Sequence, residues 1–188
     1  HLKILILGNP SDSRWLETAI QKGTVKDRAN AGSLLVQANP LANLSALDNL
    51  IILTKFSNKC SVDVLETVNE LFIKSLLPSH RKLFSLQQRG NDWKILKNKT
   101  TMDAAEKCTL YAYWYFENEL KDRFNSYLLN LQAALQNGKE INKVKAIIST
   151  SNLLKNCPER EAFLLTILVN KFGDPDKKIA SKATYHLR

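Results

Sequence analysis

The chain has 188 residues, which at about 150 residues per domain allows one domain or one continuous array of repeats. Lysine and arginine number 27 against 18 for aspartate and glutamate, a formal net charge of +9, and 44% of residues are hydrophobic. This composition excludes a disordered chain. With 6 glycines, 5 prolines and far more leucine than valine, it also argues against β-sandwiches, β-barrels and glycine-rich nucleotide-binding folds.

Apolar residues recur every three to four positions along most of the chain, which predicts α-helices. The breaks between these segments carry residues that end helices, such as Gly23, Asn39-Pro40 and Asn137-Gly138. We therefore expect an all-α fold. The predicted helical segments are residues 13–22, 24–39, 44–54, 62–76, 103–137 (one long kinked helix or two abutting helices), 144–154, 158–172 and a last helix from 174.

Residues 78–100, called the 78–100 segment below, lack this periodicity. An aperiodic stretch of this length is too long for an ordinary connection, which predicts a functional or partly disordered loop. It is strongly basic, and Asp92 is its only acidic residue. Clustered lysine and arginine neutralise phosphates, which is the physical basis of sequence-independent binding to nucleic acid. The candidate RNA-binding residues are Arg81, Lys82, Arg89, Lys94, Lys97 and Lys99.

A different interpretation of the 78–100 segment fits the residues equally well. In this interpretation the segment is a solvated loop that contacts an acidic protein or contacts nothing.

The aromatic run from Tyr111 to Phe116, which includes Tyr113, Trp114 and Tyr115, could be a platform for stacking bases or part of the core. Stacking platforms for bases usually lie on open sheets, so we expect these helical aromatic residues to pack in the core.

Two predicted helices repeat each other at an offset of 119 residues. Val25-Lys26 with Leu34-Leu35 matches Val144-Lys145 with Leu153-Leu154, and each helix is preceded by a glycine and followed by a proline. Three units of about 40 residues would give this offset, which suits HEAT or armadillo repeats, although two leucine-rich helices can also match by chance. In the last predicted helix we expect Asp174 to cap, Pro175 to take the first helical position and Ile179 to face the core.

No pattern for catalysis or metal binding stands out. The three histidines, His1, His80 and His186, have no Cys, Asp or second His at ligand spacing. Gly138-Lys139 lacks the first glycine and the Ser or Thr of a phosphate-binding loop. Glu66 and Glu70 share a helix face, but Lys74 follows Glu70 at the spacing of a surface ion pair. We expect a protein that is not an enzyme and needs no metal or cofactor.

The cysteines and the hydropathy pattern indicate an intracellular protein outside the membrane. Cys60, Cys108 and Cys157 are far apart and are expected to be reduced, packed thiols. No apolar run approaches the ~18 residues of a membrane span. The first residue is not Met and the last residues continue a helical pattern, so we expect a piece of a longer chain.

The C-terminal part carries a resemblance to a known family. The stretch from Pro158-Glu159 through Leu168–Asp174 (LVNKFGD) to Ala180–Ala183 (ASKA) resembles the CCAAT-binding-factor family of nucleolar ribosome-assembly proteins. Upstream, Leu76-Leu77-Pro78 with Arg81-Lys82-Leu83, and Trp114–Glu117, resemble further blocks of the family. The resemblance is dense at the C-terminal end and loose before residue 30.

The resemblance implies one helical-repeat array over residues 1–188, a HEAT or armadillo-like solenoid interrupted by the 78–100 segment. It also implies a non-enzymatic scaffold in the nucleolus or nucleus that acts in early assembly of the large (60S) ribosomal subunit. The expected partners are pre-ribosomal RNA, a second nucleolar complex protein and other assembly factors. The alternative function is a protein-only HEAT adaptor, transport-receptor-like or associated with transcription. The chain offers no recognition helix, basic zipper or zinc finger for DNA.

Overall fold

A computed structural model describes residues 16, 18–20, 22–58, 61–98 and 102–187. Within these ranges the regular structure is helical, without a strand, as the sequence predicts. No helix there combines the length and apolarity needed to cross a membrane. The α-helices are α1 (Val25–Ala38), α2 (Leu44–Leu53), α3 (Ser61–Leu71), α4 (Gly90–Asn98), α5 (Ala104–Asn137), α6 (Glu140–Asn156), α7 (Glu161–Val169) and α8 (Lys177–Leu187).

Capping boxes fix the starts of α1 and α5. Thr24 Oγ1 accepts from Asp27 N at 3.2 Å, and Asp27 Oδ2 accepts from Thr24 N at 3.0 Å. Asp103 and Glu106 form the same reciprocal pair at the start of α5. Each box satisfies two backbone donors that a helix N-terminus leaves free. The α5 helix that follows is one continuous helix of 34 residues, so of the two alternatives the single helix is correct.

The helices are arranged in two rows that alternate along the chain. Helices α1, α3, α6 and α8 contact one another in succession, and we call them the first row. Helices α2, α5 and α7 also contact one another in succession and form the second row. Successive helices in the sequence therefore belong to opposite rows, with the 78–100 segment inserted between α3 and α5.

The neighbouring first-row helices α3 and α6 run parallel. In the first row, Asn142 donates to Ser61 Oγ at 3.2 Å near the starts of α6 and α3, and Lys145 pairs with Glu66 at 2.9 Å one turn later. Both helices therefore advance in the same direction.

The second row shows the same relation between α2 and α5. Arg123 Nε lies 2.9 Å from Asp48 Oδ1, and seven residues further along α5 the Asn130 amide donates to Ile51 O at 2.9 Å. Both contacts advance together along the two helices, which are therefore parallel where they meet.

The core lies between the two rows. Tyr127 of α5 reaches across it, and its hydroxyl donates to Leu65 O of α3 at 3.1 Å. Burial raises the pKa of this phenol. Phe72 stacks on Tyr127 and meets Phe124 edge-on. The largest fully buried side chains are Tyr127, Phe72, Phe124, Leu47, Leu50, Leu65, Leu71, Leu120, Leu128, Leu131, Leu135 and Ile147.

Two glycines form similar tight turns, called the glycine corners below, just before the first-row helices α1 and α6. At Gly23 and Gly138 the N–H donates at 3.0 Å to the carbonyl of the residue four positions earlier, Ala19 or Ala134. A Cβ at these glycines would lie 2.3 and 2.4 Å from the same carbonyl oxygens. Only glycine fits so close an approach, which explains why both turns carry it.

The 78–100 segment is not an aperiodic loop throughout, so that prediction was wrong for its second half. A 3-10 helix covers Leu86–Arg89 and runs into α4, which spans Gly90–Asn98. The apolar periodicity does not predict this helix, because Leu96 is its one buried residue and a single residue makes no apolar stripe. Residues 99–101 lie outside the described ranges.

The seventh predicted helix starts later than expected. Arg160 has a left-handed backbone with φ 57°, which separates Pro158 and Glu159 from α7, and the helix begins at Glu161. The Glu159 carboxylate therefore lies outside the helix and accepts a hydrogen bond from Leu83 N of the 78–100 segment.

The last helix also begins later than predicted. Asp174 does not cap it, because its carboxylate pairs with Lys171 at 2.9 Å and accepts from Asp176 N at 3.1 Å. Asp176 Oδ1 accepts from Lys178 N at 2.9 Å and takes the capping role instead. Pro175 accordingly precedes the helix, whereas Ile179 faces the core as predicted.

Candidate nucleic-acid interface

One carboxylate of α5 binds the 78–100 segment at three points. Glu117 accepts hydrogen bonds from the guanidinium groups of Arg81 and Arg89 and, at 3.1 Å, from the backbone N–H of Phe84. The Glu117 side chain is 10% exposed and that of Arg89 13%. A charge this well shielded from solvent is tolerated because it is paired on several sides.

The pKa of Glu117 reflects these contacts. Burial alone would raise it, but the hydrogen bonds from Arg81, the Phe84 N–H and Arg89 outweigh burial and lower the pKa. The carboxylate therefore stays charged and keeps both arginines in place.

A second carboxylate fixes the start of the segment to the approach of α7. Glu159 is 3% exposed and its Oε2 accepts from Leu83 N at 2.6 Å. Lys121 of α5 donates to Leu83 O at 2.7 Å and lies 3.9 Å from Glu159. Both polar groups of the Leu83 backbone are thereby satisfied by side chains.

Aromatic rings surround Arg89. Its guanidinium lies 5.1 Å from the centre of Phe84 and 4.9 Å from that of Trp114, within cation–π range. Trp93 of α4 stacks on Tyr111 at 4.8 Å and meets Trp114 edge-on at 5.0 Å. This cluster packs α4 against the first turns of α5.

The expectation that the aromatic run lies in the core is correct for only part of it. Trp114 is buried, and Tyr111 and Phe116 are partly buried. Tyr113 and Tyr115 are 63% and 51% exposed, because the run turns around the whole helix and this part of α5 has few neighbours.

Half of the predicted RNA-binding residues form ion pairs inside the protein. Arg81 and Arg89 bind Glu117, and Lys82 pairs with Glu161 of α7 at 2.8 Å. Arg81 and Lys82 retain exposed surface, but Arg89 is mostly covered. The expectation that the set consists of exposed charges is therefore wrong for Arg89, whereas Arg81 and Lys82 are exposed but paired with carboxylates.

Lys94 and Lys97 are placed differently. Both are on α4, three residues apart, and both are exposed without an ion pair to any described residue. Leu96 anchors the opposite side of the helix, and Trp93 is 37% exposed beside them. Lys99 lies outside the described residues.

Sequence reasoning missed the two carboxylates that position this segment, Glu117 and Glu159. The available signal was weak: Glu117 is an acidic residue that follows an aromatic run on a predicted buried stripe. A charge in that setting needs a basic partner, and the 78–100 segment is the richest source of one.

Other chemistry is sparse in the described ranges. They contain no grouping of three or more His, Cys, Asp or Glu side chains suited to a metal ion. Cys157 is buried as expected, and burial raises the pKa of its thiol. Cys108 is exposed, contrary to the expectation of packing, and Cys60 is not among the described residues.

Comparison with known proteins decides the family. No family model matches the chain. It is 54% identical over 179 residues to nucleolar complex protein 1 of Drosophila melanogaster, a match to 95% of this chain. It is 32% identical over 179 residues to human CCAAT/enhancer-binding protein zeta and 30% identical over 188 residues to ribosome biogenesis protein NOC1 of Chaetomium thermophilum, each match covering 94% of this chain. The chain belongs to the CCAAT-binding-factor family.

The match covers a minor part of each family member. The chain spans 15% of the Drosophila protein, 17% of the human protein and 18% of the fungal protein. The names of these relatives place the family in ribosome biogenesis and confirm the nucleolar and nuclear localisation that the resemblance implied.

Proposed function

We propose that this chain is part of a non-enzymatic scaffold that assists early assembly of the large ribosomal subunit and contacts pre-ribosomal RNA. The names of the relatives support the general role in ribosome biogenesis. The absence of a catalytic pattern in the sequence supports a scaffold over an enzyme.

The scaffold is a HEAT or armadillo-like solenoid that spans residues 1–188 as a single array. The alternation of helices between two rows supports this architecture, because stacked helical hairpins place every second helix in the same layer. The parallel direction of α3 and α6, and the matching corners at Gly23 and Gly138, are further features of a repeated unit.

The observation that carries the RNA contact is the free cationic face of α4. Lys94 and Lys97 project from a helix that Leu96 and the aromatic cluster anchor to the scaffold. Exposed, unpaired lysines can neutralise phosphates without first breaking an internal ion pair. Lys99 follows them in sequence and belongs to the same proposal, whereas Arg81, Lys82 and Arg89 chiefly position the segment.

Protein partners are a second nucleolar complex protein and further assembly factors. Leu165 and Val169 are one turn apart on α7, Phe172 lies in the turn that follows, and each of the three is more than two fifths exposed. Contiguous exposed apolar side chains are typical of contact surfaces between proteins.

The protein-only adaptor remains a second candidate function because three of the basic residues in the 78–100 segment already have carboxylate partners. A crosslinking map of this protein in purified pre-ribosomes separates the two. The RNA scaffold requires crosslinks from the 78–100 segment to pre-ribosomal RNA. Crosslinks from this segment to acidic protein alone would favour the adaptor.

A further inference from the structure

A groove lies between α6 and α8, the last two helices of the first row. The helices run parallel here, since Lys178 lies 3.6 Å from Glu140 at their starts and Ser151 Oγ donates to His186 O at 2.8 Å near their ends. The groove has a volume of about 600 Å³. Its polar and aromatic lining consists of Glu140, Lys177, Lys178, Ser181, Lys182 and Tyr185.

Positive charge dominates this groove. Lys177 and Lys182 are exposed and form no ion pair with a described residue. Glu140 is the only acidic residue of the lining, and its contact with Lys178 leaves both side chains more than half exposed. Surface pairs of this kind are weak and exchange readily for another anion.

The charge of Lys182 also acts on His186, near the end of α8. Burial, and after it the charges of Lys182 and Lys155, hold the pKa of His186 below its ordinary value of 6.5. The imidazole is therefore mostly neutral near pH 7, and the lysines supply the positive charge.

An aromatic ring stands beside these lysines. Tyr185 is 72% exposed, and its ring meets His186 edge-on at 5.2 Å and 87°. This contact leaves much of the ring surface open to solvent. An exposed ring next to lysines on one helix is the combination that single-stranded nucleic-acid sites use for base stacking and phosphate contact.

We propose that the α6–α8 groove binds single-stranded RNA, with Lys177, Lys178 and Lys182 on phosphates and Tyr185 stacked on a base. Lys178 and Lys182 are one helical turn apart, so their charges follow a strand that runs along α8. An acidic protein segment would satisfy the lysines but would leave the aromatic ring without a planar partner.

This inference rests on the proposed RNA scaffold and adds a second contact to it. The 78–100 segment is attached to α5 and α7 of the second row, whereas the groove belongs to the first row. The two surfaces can therefore be altered independently.

Binding of labelled single-stranded RNA of mixed sequence to the 188-residue chain tests the lysines. The variant Lys177→Gln/Lys178→Gln/Lys182→Gln should bind RNA more weakly, and the slope of log affinity against log salt should shrink by about 0.7 for each phosphate that the variant no longer neutralises. The matched control Lys22→Gln/Lys26→Gln/Lys55→Gln removes the same charge from exposed lysines elsewhere that form no ion pair with a described residue, and should have a much smaller effect.

Tyr185 variants test the stacking. Tyr185→Leu should weaken binding roughly fivefold or more, whereas Tyr185→Phe, which keeps a ring, should bind like the wild type. On an oligonucleotide that carries abasic sites, the wild type and Tyr185→Leu should bind equally. Circular dichroism of each variant verifies that the helices persist.

Equal losses of affinity in the groove variant and the control, or an unchanged affinity in folded groove variants, would overturn the inference. The inference would also be overturned if the groove variant bound a polyglutamate peptide more weakly than the wild type does but bound RNA equally well. That result would identify an acidic protein as the occupant. If only substitutions on α4 weaken RNA binding, the groove is rejected and the proposed function stands. If neither set has an effect, both are rejected.

Discussion

Arg89 and Glu117, separated by 28 residues in sequence, form an ion pair that is largely hidden from solvent. Phe84 and Trp114 cover the guanidinium, and Arg81 shares the carboxylate. Arg89, which the sequence predicts to be an RNA contact, therefore binds the 78–100 segment to α5.

Removal of the shared carboxylate should destabilise the protein. In Glu117→Ala two guanidinium groups and the Phe84 N–H lose their acceptor. Loss of one partner from a buried pair costs about 3–5 kcal/mol, and because Arg81 is partly exposed we expect about 2–3 kcal/mol. Urea unfolding at neutral pH measures this free energy.

The matched control is Glu70→Ala. Glu70 pairs with Lys74 at 2.6 Å on the surface of the α3 region, with both side chains more than half exposed, so its removal should cost at most about 0.5 kcal/mol. Similar destabilisation of the two variants would contradict the anchoring role of Glu117.

Acid should weaken the same anchor. The pKa of Glu117 is lower in the folded protein than its ordinary value of 4.5. Its stabilisation is therefore complete above the ordinary pKa and is lost as the pH falls through the folded-state pKa. The difference in unfolding free energy between the wild type and Glu117→Gln should shrink once the pH drops below about 4.5. A difference that stays constant or grows on acidification would refute this assignment.

The glycine corner before α6 should not accept a side chain. A Cβ on Gly138 would lie 2.4 Å from Ala134 O, so Gly138→Ala should lower the unfolding free energy by about 1–3 kcal/mol. Gly90 begins α4 in a helical conformation with open space around it, and Gly90→Ala should raise stability by about 0.4–1 kcal/mol. Urea unfolding of both variants measures whether the unfolding free energy falls in Gly138→Ala and rises in Gly90→Ala. A stabilised Gly138→Ala would contradict the close approach of residue 138 to Ala134 O.

Local signals made most helices predictable from the sequence. The capping boxes at Thr24 and Asp103 need only residues three apart, and both helix starts were predicted within a residue or two. The start of α7 was misplaced because the left-handed turn at Arg160 accompanies a contact between Glu159 and a segment 76 residues away. Tertiary contacts of this range leave no local pattern.

The candidate site was predictable as a segment but not residue by residue. Net charge locates the 78–100 segment, because clustered lysine and arginine can be read directly from the sequence. Which cations remain free depends on where Glu117 and Glu161 lie in the fold. Lys94 and Lys97 could be separated from Arg89 only once α4 was placed on α5.

The central claim is that the free lysines of α4 contact RNA. The variant Lys94→Gln/Lys97→Gln/Lys99→Gln leaves the Glu117 anchor intact, unlike substitutions at Arg81 or Arg89. Exposed charges contribute little to stability, so helicity should persist and the unfolding free energy should change by no more than about 0.5 kcal/mol. Its matched control is Lys22→Gln/Lys26→Gln/Lys55→Gln, which removes the same charge from α1 and from residues close to α1 and α2.

The decisive measurement is RNA affinity at several salt concentrations for the wild type, the α4 variant and this control. We predict weaker binding by the α4 variant, nearly uniform across RNA sequences, with a salt slope smaller by roughly 0.7–0.9 for each phosphate that is no longer neutralised, and a much smaller effect in the control. An α4 variant that is folded and keeps the wild-type affinity and slope would contradict the account.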